Sequence, residues 1–114
     1  LNRSASEGLD IMASANVKMG LGTDLLGPLH TRQADEFRLR AEVLRPIEIL
    51  RSACAINAEL LGESGRLGCI AQGAYADLLV VDGDPLRDIS ILHGSPEKLK
   101  LVMKDGNILK MASD

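Results

Sequence analysis

Seven residues, Lys18-Met19-Gly20-Leu21-Gly22-Thr23-Asp24, constrain the fold of this chain more than any other stretch. Val17, Met19 and Leu21 alternate with Lys18, Gly20 and Gly22, the two-residue period of a strand. The glycines allow other groups to come close to the backbone. The run ends abruptly in Thr23-Asp24, and Leu25-Leu26-Gly27-Pro28 turns the chain away. A carboxylate at the C-terminal end of a buried strand is where parallel α/β folds place their chemistry. Asp24 is therefore the first candidate for a catalytic residue.

Helical patterns lie on both sides of this strand. Ser4 to Ala15 reads as a helix that Ser4 or Ser6 can cap, with Leu9, Met12 and Ala13 on one face and Asn16 as its end. Thr31 is the expected N-cap of a second helix reaching about Leu44, with Asp35 and Glu36 near its positive end. Ala34, Phe37, Ala41 and Leu44 share its apolar face. Pro46 opens a third helix at the position where a missing N–H costs nothing. The spacing predicts one continuous helix over 46–61, with Leu50, Ala53 and Leu60 buried and Gly62 as its stop. Asn57 interrupts that apolar stripe and reads as a buried amide with satisfied partners.

From Gly65 the helical period stops. Leu67 to Ile70 reads as a short strand, and Ala76-Asp77-Leu78-Leu79-Val80-Val81 as a strand apolar enough to be buried on both faces. Asp82-Gly83-Asp84-Pro85 is a turn, and Leu86 to Leu92 a connector with one helical turn. Asp105-Gly106 between residues 99–104 and 107–111 is a strong hairpin signal. The expected organisation is α/β, with a helix and strand unit over 1–63 and a small β unit over 64–114.

Composition narrows the function classes. Aromatic residues make up 2% of 114 and the formal net charge is -3, so there is neither a platform for stacking bases nor a basic surface for phosphates. No nucleic-acid partner is expected. No apolar run approaches the roughly 20 residues of a membrane helix, and no signal peptide is visible at the start. Cys54 and Cys69 match no zinc spacing and read as two reduced structural thiols, which favours a cytoplasmic location. Asp77, Asp82 and Asp84 lack the spacing of a calcium loop. The chain starts at Leu1, which suggests a truncated or processed product.

Six elements then occur in one order: Gly22-Thr23-Asp24, the run Arg45 to Ala53, Asn57-Ala58-Glu59-Leu60-Leu61-Gly62, Gly65 to Ile70, Gly73 to Pro85, and Val102-Met103-Lys104-Asp105-Gly106. Together they resemble the C-terminal end of the metal-dependent amidohydrolase superfamily, nearest its imidazolonepropionase-like and Xaa-Pro dipeptidase-like branch. The resemblance implies a segment of a (β/α)8 barrel followed by part of a β-sandwich. Residues 17–23 would be the last barrel strand, 31–61 the closing helices and 67–111 the C-terminal share of the sandwich. It also implies hydrolysis of an amide or peptide bond in a small amide or dipeptide, with a divalent metal, zinc foremost, as cofactor. Asp24 takes the place of the family residue that binds the metal and accepts a proton from the attacking water, a role suited to a carboxylate. His30 and Gln33 follow closely, and His30 is a candidate substrate contact.

A complete barrel needs about 250 residues. This chain has no His-x-His pair, and its only histidines are His30 and His93. One carboxylate does not hold a catalytic zinc, which takes about three protein ligands. The expectation is a piece inactive by itself, bearing a metal ligand separated from its site, and either joined to the missing barrel portion or self-associated. A non-catalytic, self-associating module derived from such an enzyme is the competing expectation, because a stripped barrel segment exposes a strand edge and an apolar helix face.

Overall fold

A computed structural model of the chain describes residues 3–112. Helix α1, Arg3–Ser14, buries Leu9 and leaves Met12 and Ile11 largely in solvent. It holds Ser4 and Ser6 inside rather than at its cap. Its C-terminus closes as the sequence predicts. Asn16 adopts φ 55°, its N–H donates to Ala13 O at 2.9 Å, and Val17 N–H donates to Met12 O at 3.0 Å. That pair of bonds is a Schellman motif, with asparagine in the left-handed position.

The helix predicted from Thr31 to Leu44 is broken. A 3-10 helix occupies Gly27–Arg32 with Pro28 in its first turn, and α2 is only Asp35–Arg40. Thr31 therefore lies inside the 3-10 helix, where its hydroxyl donates to Pro28 O at 3.2 Å, and caps nothing. Leu44 is buried and Phe37 half-buried, but Ala41 is exposed.

The region 46–61 is helical, with a change of pitch in the middle: α3 Pro46–Arg51, a π-helical turn Ser52–Ile56, and α4 Asn57–Leu60. In an unbroken α-helix Leu60 would sit about 20° from Ile49 around the axis. The π turn winds about one extra residue into this stretch, so the spacing of an unbroken helix no longer holds beyond it. Ile49 is 0% exposed, whereas Leu60, predicted to be buried, is 68% exposed. Leu50 and Ala53 are half-buried. Gly62 stops the helix at φ 72°, with Gly62 N–H donating to Glu59 O and Glu63 N–H to Ala58 O, a second Schellman motif.

At the start of α3 the Glu48 carboxylate accepts from the Arg45 backbone N–H at 2.8 Å and from its guanidinium at 3.1 and 3.2 Å. These bonds, the side-chain one first, hold the Glu48 carboxyl below the usual carboxylate range. A carboxyl with a depressed folded pKa stabilises above its unfolded value and loses that contribution as pH falls through the folded value. Thermal melts followed by circular dichroism should thus fall less between pH 7 and pH 3 for Glu48→Gln than for wild type. The difference will be small, because this pair is exposed. Identical losses in both proteins would show the bond to be without effect.

The second half forms a three-stranded antiparallel sheet in the order β1 Leu78–Val81, β2 Leu99–Lys104, β3 Asn107–Met111. The β2–β3 turn has Asp105 at φ 48° and Gly106 at φ 76°, the two left-handed residues of a tight hairpin. Asp77 ties this turn to the entrance of β1. Its carboxylate accepts the Asp105 N–H at 2.7 Å and lies 3.5 Å from Lys104 Nζ. Two expectations fail here. Residues 67–70 form no strand, only an isolated bridge between Ser64 and Leu67, because Gly65, Gly68 and Gly73 all turn at positive φ. Nor is β1 buried on both faces, since Leu79 is 57% and Val80 51% exposed. The single helical turn expected in the connector is a 3-10 turn, Ile89–Leu92.

The two halves share a core. Leu9, Leu44, Ile49 and Ile89 form the buried cluster, with Met19, Leu21, Phe37 and Leu92 packed around it. The fold is a small mixed α/β arrangement. Among the described residues no helix is long and apolar enough to cross a membrane.

Candidate functional site

Residues 17–23, predicted to be a strand, belong to no ladder among the described residues. A strand is defined by its hydrogen-bonded neighbour, and none of the described strands pairs with this segment. Met19 and Leu21 still face the core, so the apolar alternation is real. The Leu21 backbone finds a substitute partner: its N–H donates to Asn57 Oδ1 at 3.0 Å, and its carbonyl accepts from Asn57 Nδ2 at 2.8 Å. Asn57 is thus the satisfied, part-buried amide that its place in the apolar stripe suggested. Nearby, Lys18 Nζ bridges both Glu59 carboxylate oxygens at 2.7 and 2.9 Å, an exposed pair that also ties this segment to α4.

At the end of the segment stands Asp24, exposed to solvent and at φ 49°. A left-handed backbone is strained for most side chains; asparagine and aspartate tolerate it best. Such outliers gather at functional sites. His30 lies six residues on, in the 3-10 helix, and is exposed. Gln33 follows that helix and is exposed as well.

Among the described residues no three His, Cys, Asp or Glu side chains come together as a metal site. The donor set around Asp24 therefore does not fit a catalytic zinc, which takes about three protein ligands. Cys54 and Cys69 are free thiols on exposed residues. Partial burial pushes the Cys54 thiol up, away from a reactive thiolate.

Residues 2–109 match the profile of the amidohydrolase family. The chain belongs to that family. A crystal structure of an amidohydrolase is similar to this amidohydrolase chain with a TM-score of 0.90 at 49% identity, over 96% of this chain and 26% of that one. A prolidase complexed with N-methylphosphonate-L-proline gives 0.89 at 46% identity, over 96% and 27%. A Xaa-Pro dipeptidase with bound methionine in its active site gives 0.81 at 32%, over 92% and 25%. The chain thus spans about a quarter of the length of these solved structures. Among curated proteins nothing matches.

Proposed function

We propose that this chain is the C-terminal share of a metal-dependent amidohydrolase that cleaves small amides or Xaa-Pro dipeptides, and that Asp24 is its contribution to the active site. The observation that carries the substrate class is the 46% identity, over 96% of the chain, to a prolidase complexed with N-methylphosphonate-L-proline. In this reading 17–23 lines the barrel as its last strand, 31–61 closes the barrel, and 67–111 is part of a β-sandwich. The exposed Leu79, Val80 and Leu109 are then surfaces that the rest of the enzyme covers. Asp24 accepts a proton from the attacking water, and His30 contacts the substrate. The complete enzyme depends on a divalent metal, zinc foremost, whose other ligands lie outside this chain; the chain by itself is inactive.

Reassembly tests this. The chain should show no Xaa-Pro hydrolysis alone with Zn²⁺ or Mn²⁺. It should restore hydrolysis when mixed with the 46%-identical prolidase shortened by its matching quarter. Turnover by the pure 114-residue chain, or silence of the mixture despite a formed complex, would overturn the reading.

A second reading, a self-associating module without catalysis, is favoured by the same exposed apolar sheet and by Leu60 and Leu61 at 68% and 71% exposure. Light scattering should find the chain alone dimeric or larger at micromolar concentration. A monomer would remove this reading.

A further inference from the structure

We infer that Asn57 is the positioning residue for Asp24: its amide stands in for a neighbouring strand at the Leu21 backbone and fixes where the carboxylate three residues later is presented. The inference rests on Asp24 being the active-site carboxylate proposed above.

Three independent features place Asn57 in this role. First, one side chain satisfies both the backbone donor and the backbone acceptor of one residue, Leu21, at 3.0 and 2.8 Å. A backbone neighbour in a ladder does the same. Second, the approach has been made room for. A Cβ on Gly20 would lie 2.6 Å from Asn57 Oδ1 and 2.7 Å from Leu60 Cδ1, so any larger residue would push these two side chains from their places. Third, Lys18 Nζ holds both oxygens of the Glu59 carboxylate, at 2.7 and 2.9 Å, and ties the same segment to α4 a second time. Only Gly22 and Thr23 separate the clamped residue from Asp24, a contour of about 10 Å. Asp24 itself sits in a strained left-handed conformation that the surrounding chain must hold.

The chemistry of the clamp gives it a signature that packing alone lacks. Aspartate has the shape of asparagine. At neutral pH its carboxylate still accepts the Leu21 N–H but has no proton for the Leu21 carbonyl, and it sets two oxygens against each other. Protonation restores the missing donor. A role in packing alone would be filled equally well by Asn57→Asp at every pH.

Amide NMR and hydrogen exchange on the full 114-residue chain test this, with wild type as reference at each pH. In Asn57→Asp at pH 7 the Gly22, Thr23 and Asp24 signals should shift, and so should the Leu21 carbonyl carbon, which loses its donor, while the Leu21 N–H keeps its acceptor and its exchange rate to within about twofold. Both shifts should fade as pH falls and the new carboxyl takes up its proton, while α1 and the hairpin stay unchanged. If that variant does not fold, Gly20→Ala displaces the Asn57 oxygen sterically and should shift the same three signals independently of pH. Unmoved signals at 22–24, or a pH-independent shift in Asn57→Asp, would overturn the assignment. In the reassembled enzyme at pH 7, Asn57→Asp should lower kcat by about 10²-fold with KM within about twofold, the effect expected of a misplaced reacting group. Normal kcat there also overturns it. Silence of the wild-type mixture counts against the role of Asp24, and the NMR result then still decides whether Asn57 positions residues 22–24.

Discussion

Asp24→Asn should abolish hydrolysis in the reassembled enzyme while leaving the chain's own folding and assembly nearly untouched. A positioned proton acceptor contributes about 10²–10⁴-fold, and the amide removes both its basicity and its charge. The expectation for folding follows from position. Asp24 is exposed, and its φ of 49° lies in the region that asparagine tolerates as well as aspartate does. Thermal melts of the two chains should overlay, because no buried contact is lost. Calorimetric titration with Zn²⁺ gives an independent reading. Since no three candidate ligands converge among the described residues, neither wild type nor Asp24→Asn should bind zinc below micromolar concentration. Tight binding by wild type that vanishes in the variant would reveal a site built between copies and contradict the single-ligand picture. Full activity of Asp24→Asn in the reassembled enzyme would remove Asp24 from the chemistry.

Ile49→Ala should be the most damaging of the simple core truncations. Ile49 is 0% exposed and belongs to the cluster that joins α1, the segment before α3, and the 3-10 turn carrying Ile89. Truncation there loses transfer energy and leaves a cavity, about 2–5 kcal/mol together. For a domain whose total stability is about 5–15 kcal/mol, that is a large share. Leu50→Ala, one residue along, is the control. The helical spacing predicts Leu50 buried along with Ala53 and Leu60, and a buried leucine truncated to alanine costs about 2–5 kcal/mol. Leu50 is only half-buried, so its truncation should now cost clearly less than that of Ile49. Urea denaturation of both variants decides it, and equal losses would mean that the helix presents a different face.

The features legible from the residues were those set by backbone chemistry within a few positions. Asn16 and Gly62 end their helices because each supplies a left-handed residue where a Schellman motif requires one. Pro46 starts α3 because it lacks an N–H that a first turn does not need. Asp105-Gly106 closes its hairpin because both residues accept positive φ. The family pattern was legible for a similar reason: its glycines, turn residues and Asp24 are spaced by the chain itself. The helix from Thr31 failed because a Pro28 turn and a 3-10 helix took its first residues, and local propensity alone does not rank such alternatives.

Legible from the residues alone, then, are the ends marked by Asn16, Pro46, Gly62 and Asp105-Gly106, and the placement of Asp24 after an apolar, glycine-bearing segment. Tertiary structure alone decided which faces are covered. The π turn carries no local signature, and past it Leu60 is 68% exposed although the spacing predicts it buried. Residues 17–23 have the period of a strand, but a strand exists only with a partner, and here an asparagine 36 residues away supplies it. Apolar β1 likewise displays Leu79 and Val80, because burial depends on what packs against a face and not on the residues that form it.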